Sequence, residues 1–166
     1  MAIFGEASST AIAGFILTGV SFLIQFIGFA TPYWEYTSIR DGTVNRGLWL
    51  WCSSYKGKSN CISRCDDTNA CPFSLVIARI TASLSFGMLL AAVVILVAKV
   101  SVFKDKPIIK TAIVFCFVGG TCALIATIAY GADSGVETKH LSFSLAFCVI
   151  AAAGSYLSGS LLIVGK

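Results

Sequence analysis

Charge is what this 166-residue chain has least of: Asp, Glu, Lys and Arg together make up 12% of it. A soluble domain carries about 25%, so an ordinary water-facing surface is excluded. Histidine is scarcer still. His140 is the only one, which rules out a multi-histidine metal site and leaves a nucleophilic Ser or Cys without an evident base. No C-x-x-C occurs anywhere, and the loop cysteines run C-x8-C-x3-C-x5-C. A disulfide-forming oxidoreductase works with a close reactive pair, and the first interval is too wide for a usual zinc ribbon. There is no N-x-S/T, so N-glycosylation of that type is not expected. No basic stretch is interleaved with aromatics, which argues against a nucleic-acid partner. The chain therefore reads as a non-enzyme with no cofactor and no metal site.

What is abundant is apolar sequence: 57% of residues are hydrophobic. They fall in four blocks, at residues 11–30, 72–98, 111–132 and 141–165. A bilayer core about 30 Å thick needs about 20 such residues, so each block is long enough to span. Only the second holds a charge, Arg79, and none holds an Asp or Glu. An intramembrane proton relay thus has no acidic member. The first block is too long for the core of a cleaved signal peptide, and the ten residues before it contain Glu6 but no Lys or Arg. The expected architecture is an all-α membrane fold in one domain, residues 1–166: a four-helix transmembrane bundle topped by a small extracellular antiparallel β-sheet.

Orientation rests on cysteine more than on charge. The short loop after the second block carries Lys99, Lys104, Lys106 and Lys110 against Asp105, which favours the cytoplasm. The long loop, residues 31–71, also carries Arg40, Arg46, Lys56, Lys58 and Arg64. But that loop holds Cys52, Cys61, Cys65 and Cys71, and an even set of cysteines in a short polar loop points to disulfides and an oxidising compartment. The long loop is therefore expected outside, with both termini and the Lys-rich loop inside, in the plasma membrane. Cys116, Cys122 and Cys148 lie within spans and read as small packing residues.

Helices in lipid associate through small residues and through polar groups that bond across the gap. Gly14, Thr18, Ser21, Gln25 and Gly28 share one face of the first span. Arg79, Ser83, Gly87 and Ala91 recur at four in the second, Gly119, Ala123 and Thr127 in the third, and Ala151, Ser155 and Gly159 in the fourth. Gln25, deep in its span, is expected to find a polar partner across the bundle. Arg79 lies roughly 10 Å along its helix from Pro72, near enough to the boundary to snorkel or to reach backbone carbonyls at the base of the loop.

The loop itself has strand-type residues in Tyr36, Thr37, Ile39, Thr43 and Val44, with a hairpin signal at Asp41-Gly42 and a turn-rich tip at residues 55–58. Trp34 closes the first span where an interfacial aromatic is expected. A sheet this small needs a staple. The four cysteines allow three connectivities, among them Cys52–Cys61 with Cys65–Cys71.

Trp34, then Gly47-Leu48-Trp49, then Cys52 and Cys61 read W…GLWxxC…C. This resembles the first-loop motif of the claudin superfamily, which also includes the peripheral myelin, epithelial membrane and lens fibre membrane intrinsic proteins. Arg79, 18 residues after Cys61, resembles the Arg that claudins place just inside the second span, and the chain is most similar to an invertebrate claudin-like protein. The resemblance implies a left-handed four-helix bundle and about five strands, four from the first loop and one from the second. It implies a Cys52–Cys61 bridge, and that Trp34 and Trp49 seat the sheet on the bilayer surface. Three features depart from the family: a short Trp34-to-Trp49 interval, the additional Cys65 and Cys71, and a very short second loop. With Lys166 as the last residue, no tail of the kind that docks many claudins on junction scaffolds is evident, and scaffold binding is not expected.

The expected function is a cell–cell contact protein of junctions that self-associates within one membrane and across the gap, forming a paracellular barrier or pore. The alternative is an accessory subunit of a channel or receptor, or a myelin-type membrane organiser. Loop charges sum to +1, so any pore should be only mildly selective. The expected partners are the lipid bilayer and copies of the same chain.

Overall fold

In a bilayer no water is available to satisfy backbone amides, so an apolar run must close its own hydrogen bonds as a helix. Four do so in the computed structural model, which describes residues 8–65, 71–101, 108–132 and 138–165. They are α1 (Ser9–Ala30), α2 (Phe73–Ser101), α3 (Ile109–Gly131) and α4 (Phe143–Val164), each long and apolar enough to cross a membrane. Ser8 caps α1 by accepting from Ala11 N. Pro72 stands just before α2, where its missing N–H leaves nothing unsatisfied, and its carbonyl accepts from Val76 N at 3.1 Å. At 29 residues α2 is the longest, about 43 Å, and so exceeds the core by about two turns. Block four begins as a helix two residues later than expected, because Leu141 and Ser142 are bonded to the β-sheet side instead. Of the Lys-rich loop, Lys104, Asp105 and Lys106 lie outside the described residues, as do Asp66 and Asp67.

α1 packs on α4 and α2, and α3 on α2 and α4, so that α1 and α3 stand diagonally. The contact stripes share one spacing. Gly14, Thr18, Ser21, Gln25 and Gly28 on α1 step 4-3-4-3 and are all buried. So are Ala112, Cys116, Gly119, Ala123, Ala126 and Tyr130 on α3, and Ser144, Cys148, Ala151, Ser155, Ser158 and Leu162 on α4. On α2 the buried stripe is Ala78, Ala82, Ser85, Leu89 and Ala92. A mean step of 3.5 is shorter than the helical period and goes with left-handed winding of helix pairs. The row Arg79, Ser83, Gly87, Ala91 is not the packing face of α2: Ser83 and Gly87 are exposed. The four-step rows expected on α3 (Gly119, Ala123, Thr127) and on α4 (Ala151, Ser155, Gly159) are buried, so regular spacing alone does not pick the packing face.

Small residues let the backbones close. A side chain at Gly28 would meet Cys148 Sγ at 2.7 Å, and one at Gly14 would meet Leu162 Cγ at 2.9 Å. Hydroxyls then bridge α1 and α4: Thr18 bonds Ser158 at 2.5 Å, Ser158 donates to the Gly14 carbonyl at 2.8 Å, and Thr31 bonds Ser144 at 2.6 Å. Gln25 does not find the partner expected of it. It is fully buried, and neither amide atom has a hydrogen-bond partner among the described residues. From the Thr18–Ser158 contact, the antiparallel pair brings Gln25 level with Ala151, a side chain with nothing to donate or accept. The Ser85 hydroxyl is likewise buried and unpartnered there.

The long loop forms an antiparallel meander in the order β1-β2-β3-β4: β1 (Glu35–Ile39), β2 (Gly42–Arg46), β3 (Leu50–Tyr55) and β4 (Lys58–Ser63). The first hairpin turns at Arg40-Asp41, with Asp41 at φ 66° and Gly42 already paired. The second turns at Lys56-Gly57, both at positive φ (45° and 79°), as a two-residue turn matching the strand twist requires. Of the fifth strand that the family resemblance implied, the described residues show one bridge, between Glu35 and Leu141, with Ser142 N donating to Trp34 O at 3.0 Å. The short second loop is described only from Thr138, as a single 3-10 turn to His140.

Candidate interaction surface

The sheet is rooted in a neck built from the turn between β2 and β3. Gly47 packs so closely there that a side chain would lie 2.6 Å from Pro32 Cα. Its neighbour Leu48 is fully buried, and so is Trp34. Trp34 is therefore a core residue and not an interfacial one. The helix ends and the turn enclose its ring, its Nε1 donates to Gly28 O at 2.8 Å, and its ring packs on Tyr130 at 4.9 Å. Trp49 is the tryptophan that stays on the outside, 37% exposed, with Nε1 donating to Phe29 O at 3.2 Å.

A buried turn leaves carbonyls that need donors. Three consecutive ones are met by side chains from three elements. Tyr130 of α3 donates to Arg46 O at 3.3 Å, Arg64 after β4 donates to Gly47 O at 3.0 Å, and Arg79 of α2 donates through Nε to Leu48 O at 2.7 Å. Arg64 also reaches Tyr130 Oη at 2.8 Å. Arg79 thus does what its position in the sequence allowed, tying the base of the loop to the second span. Tyr130 and Arg64 were missed. The available signals were a tyrosine ending an otherwise apolar span and a lone Arg beside Cys65.

The cysteines pair as Cys52–Cys61 and Cys65–Cys71. Cys52 and Cys61 face each other directly across β3 and β4, their Cα atoms 4.1 Å apart. Cys65 and Cys71 pack against the cluster around Trp34, Leu48 and Tyr130, so this bridge fastens the loop's return to α2. With all four sulfurs in bridges, no loop thiolate remains for zinc. Cys116, Cys122 and Cys148 are free, as packing residues of α3 and α4.

Above the neck the sheet has two unlike faces. Strand alternation puts Ile39, Val44, Trp51, Tyr55 and Ile62 on one side. Of these, Ile39 is 45% exposed, Trp51 40%, Tyr55 51% and Ile62 51%. The other side carries the Cys52–Cys61 bridge, the exposed Tyr36 and Leu50, and otherwise Ser, Thr and Asn. Near the neck on the apolar side, Arg46 pairs with Glu35 at 3.3 Å and stacks over Trp51 at 5.1 Å. Among the described residues strand β4 pairs only with β3, and all six of its residues are exposed. The two hairpin tips adjoin, with Lys56 N donating to Asp41 O at 3.2 Å. They point away from the bundle and carry Arg40, Lys56 and Lys58 against Asp41.

Compared with protein-family models and with curated proteins, the chain matches none.

Proposed function

We propose that this is a claudin-like contact protein of the plasma membrane, which associates with copies of itself through the sheet. The observation that carries the reading is the apolar sheet face beside an unpaired edge strand. Four large apolar side chains exposed on one side of so small a sheet, against Tyr36 and Leu50 on the other, support a protein–protein surface, and an edge that is open among the described residues offers backbone pairing. Trp51 and Ile62, near the neck, suit contact between neighbours in one membrane. Ile39 and Tyr55, beside the tips, suit contact across a gap. The stapled sheet and the tied neck would hold this surface at a set angle to the bilayer, so docking orders little new chain.

The tips also bear on a paracellular path. Arg46 is paired with Glu35, and Arg64 is engaged in the neck. Among the described residues of the long loop, the charges left to face such a path are Arg40, Asp41, Lys56 and Lys58 at the tips, a local basic excess that would favour anions weakly.

The test is to mix cells that express the tagged full chain with cells that do not, using a line without junctions of its own. Protein density is compared where two expressing cells meet and where one meets a bare neighbour. Enrichment at expressing pairs alone supports adhesion across the gap. A uniform distribution turns the reading toward an accessory or membrane-organising subunit, identified by a partner that copurifies in fixed ratio.

A further inference from the structure

The outward row of α2 has its own geometry. Arg79 lies six residues past Phe73, about 9 Å into the helix. Its guanidinium is fixed on three sides: Nε on Leu48 O at 2.7 Å, Nη1 toward Cys71 Sγ at 3.5 Å, and its carbon 5.2 Å over the Trp49 ring. The two described carboxylates lie elsewhere, Glu35 on Arg46 and Asp41 at the hairpin tip. From Arg79 an open groove of about 390 Å³ runs along the span, lined by Trp49, Arg79, Ile80, Ser83 and Leu84. Ile80 and Leu84 are 55% and 48% exposed, and the Ser83 hydroxyl is turned back onto Arg79 O at 2.8 Å. The groove is thus apolar along its length and cationic at its head. One turn further on, nothing stands within 4 Å of where a side chain at Gly87 would be.

We propose that this groove holds one phospholipid of the sheet-side leaflet, with its phosphate on Arg79 and an acyl chain along Ile80, Ser83 and Leu84. The occupant follows from position and charge. This face of a membrane span is solvated by lipid tails, and the cation at its head has no described carboxylate to neutralise it. A phosphate diester supplies that charge at the depth where Arg and Trp meet headgroups. A guanidinium already fixed by Leu48 and Trp49 loses little freedom on receiving it.

Native mass spectrometry of the full chain tests this, with phosphatidylglycerol, phosphatidylcholine and a phosphate-free diacylglycerol of the same acyl chains as probes. One equivalent of either phospholipid should be retained about tenfold more tightly than the diacylglycerol, the worth of one charge-assisted hydrogen bond. Ser83→Phe fills the groove while leaving the bonds from Arg79 to Leu48 and Cys71 in place. It should lower retention about tenfold. Equal retention of the diacylglycerol, or undiminished retention by Ser83→Phe, overturns the proposal. So does a dimer that Ser83→Phe splits, since the groove would then be a protein contact. Should that variant fail to fold, the Trp51→Phe chain reports instead. With Trp34 enclosed and Trp49 exposed, brominated phospholipid should quench the accessible part of that chain's tryptophan fluorescence more than brominated diacylglycerol does, and equal quenching would reject the site.

Discussion

Gly47→Ala should loosen the neck without touching the membrane helices. The new methyl would stand 2.6 Å from Pro32 Cα and 3.0 Å from Thr31 O, where ordinary carbon contacts begin near 3.5 Å. Both neighbours are backbone, so no side chain can swing aside. The turn must lift by roughly 1 Å, stretching the bonds from Arg64 to Gly47 O and from Arg79 to Leu48 O. Overpacking of this kind costs about 1–3 kcal/mol. At this chain length each kcal/mol moves a thermal midpoint by about 2–4 °C. The assay is thermal unfolding of the purified chain, followed by the near-ultraviolet circular dichroism that the enclosed Trp34 ring contributes. Gly87→Ala is the control. It has open space around it and should gain about 0.5–1 kcal/mol from helix propensity. If Gly47→Ala melts with the parent while Gly87→Ala behaves as stated, the neck is not the close-packed joint described here.

Breaking the cross-strand bridge with Cys52→Ser and Cys61→Ser should cost about 2–4 kcal/mol and lower the unfolding midpoint, read by the same melt with and without reductant. Gln25→Leu should raise the midpoint, since it removes two buried polar atoms without partners, a relief of about 1–3 kcal/mol. A lower midpoint would mean that Gln25 bonds to something further, such as a buried water. Charge reversal at the tips, Lys56→Glu with Lys58→Glu, should turn a weak anion preference into a weak cation preference. Dilution potentials across a cell layer expressing the variant measure this, and an unchanged potential would remove the tips from any conducting path.

The spans were legible because lipid solvent permits little besides a helix over twenty apolar residues. The packing faces of α1, α3 and α4 were legible for a related reason, since small and polar residues that recur at four, or at four and three in turn, let backbones approach and have little other use there. On α2 the same rule failed. Arg79, Ser83 and Gly87 make an equally regular row, and only tertiary contact shows that Ala78, Ala82 and Ser85 face inward. Trp34 reads as interfacial by its place at the end of a span. That it is buried depends on Gly47 and Leu48 folding back over it, a contact between residues far apart in the chain. The cysteine pairing was open on arithmetic, and strand register closes it by setting Cys52 opposite Cys61. The neck donors Tyr130 and Arg64 were hidden because their partners are backbone carbonyls, which carry no residue identity.

The claim on which the account depends is that the sheet surface joins copies of this chain across a gap. The direct measurement is contact enrichment in mixed cells, comparing the parent with Ile39→Ser, Tyr55→Ser. Both side chains are about half exposed beside the hairpin tips, so their loss should leave folding and surface delivery intact. The account predicts enrichment of the parent at expressing pairs and its loss in the variant at equal surface density. Enrichment that persists unchanged in the variant, or its absence in the parent, would contradict it.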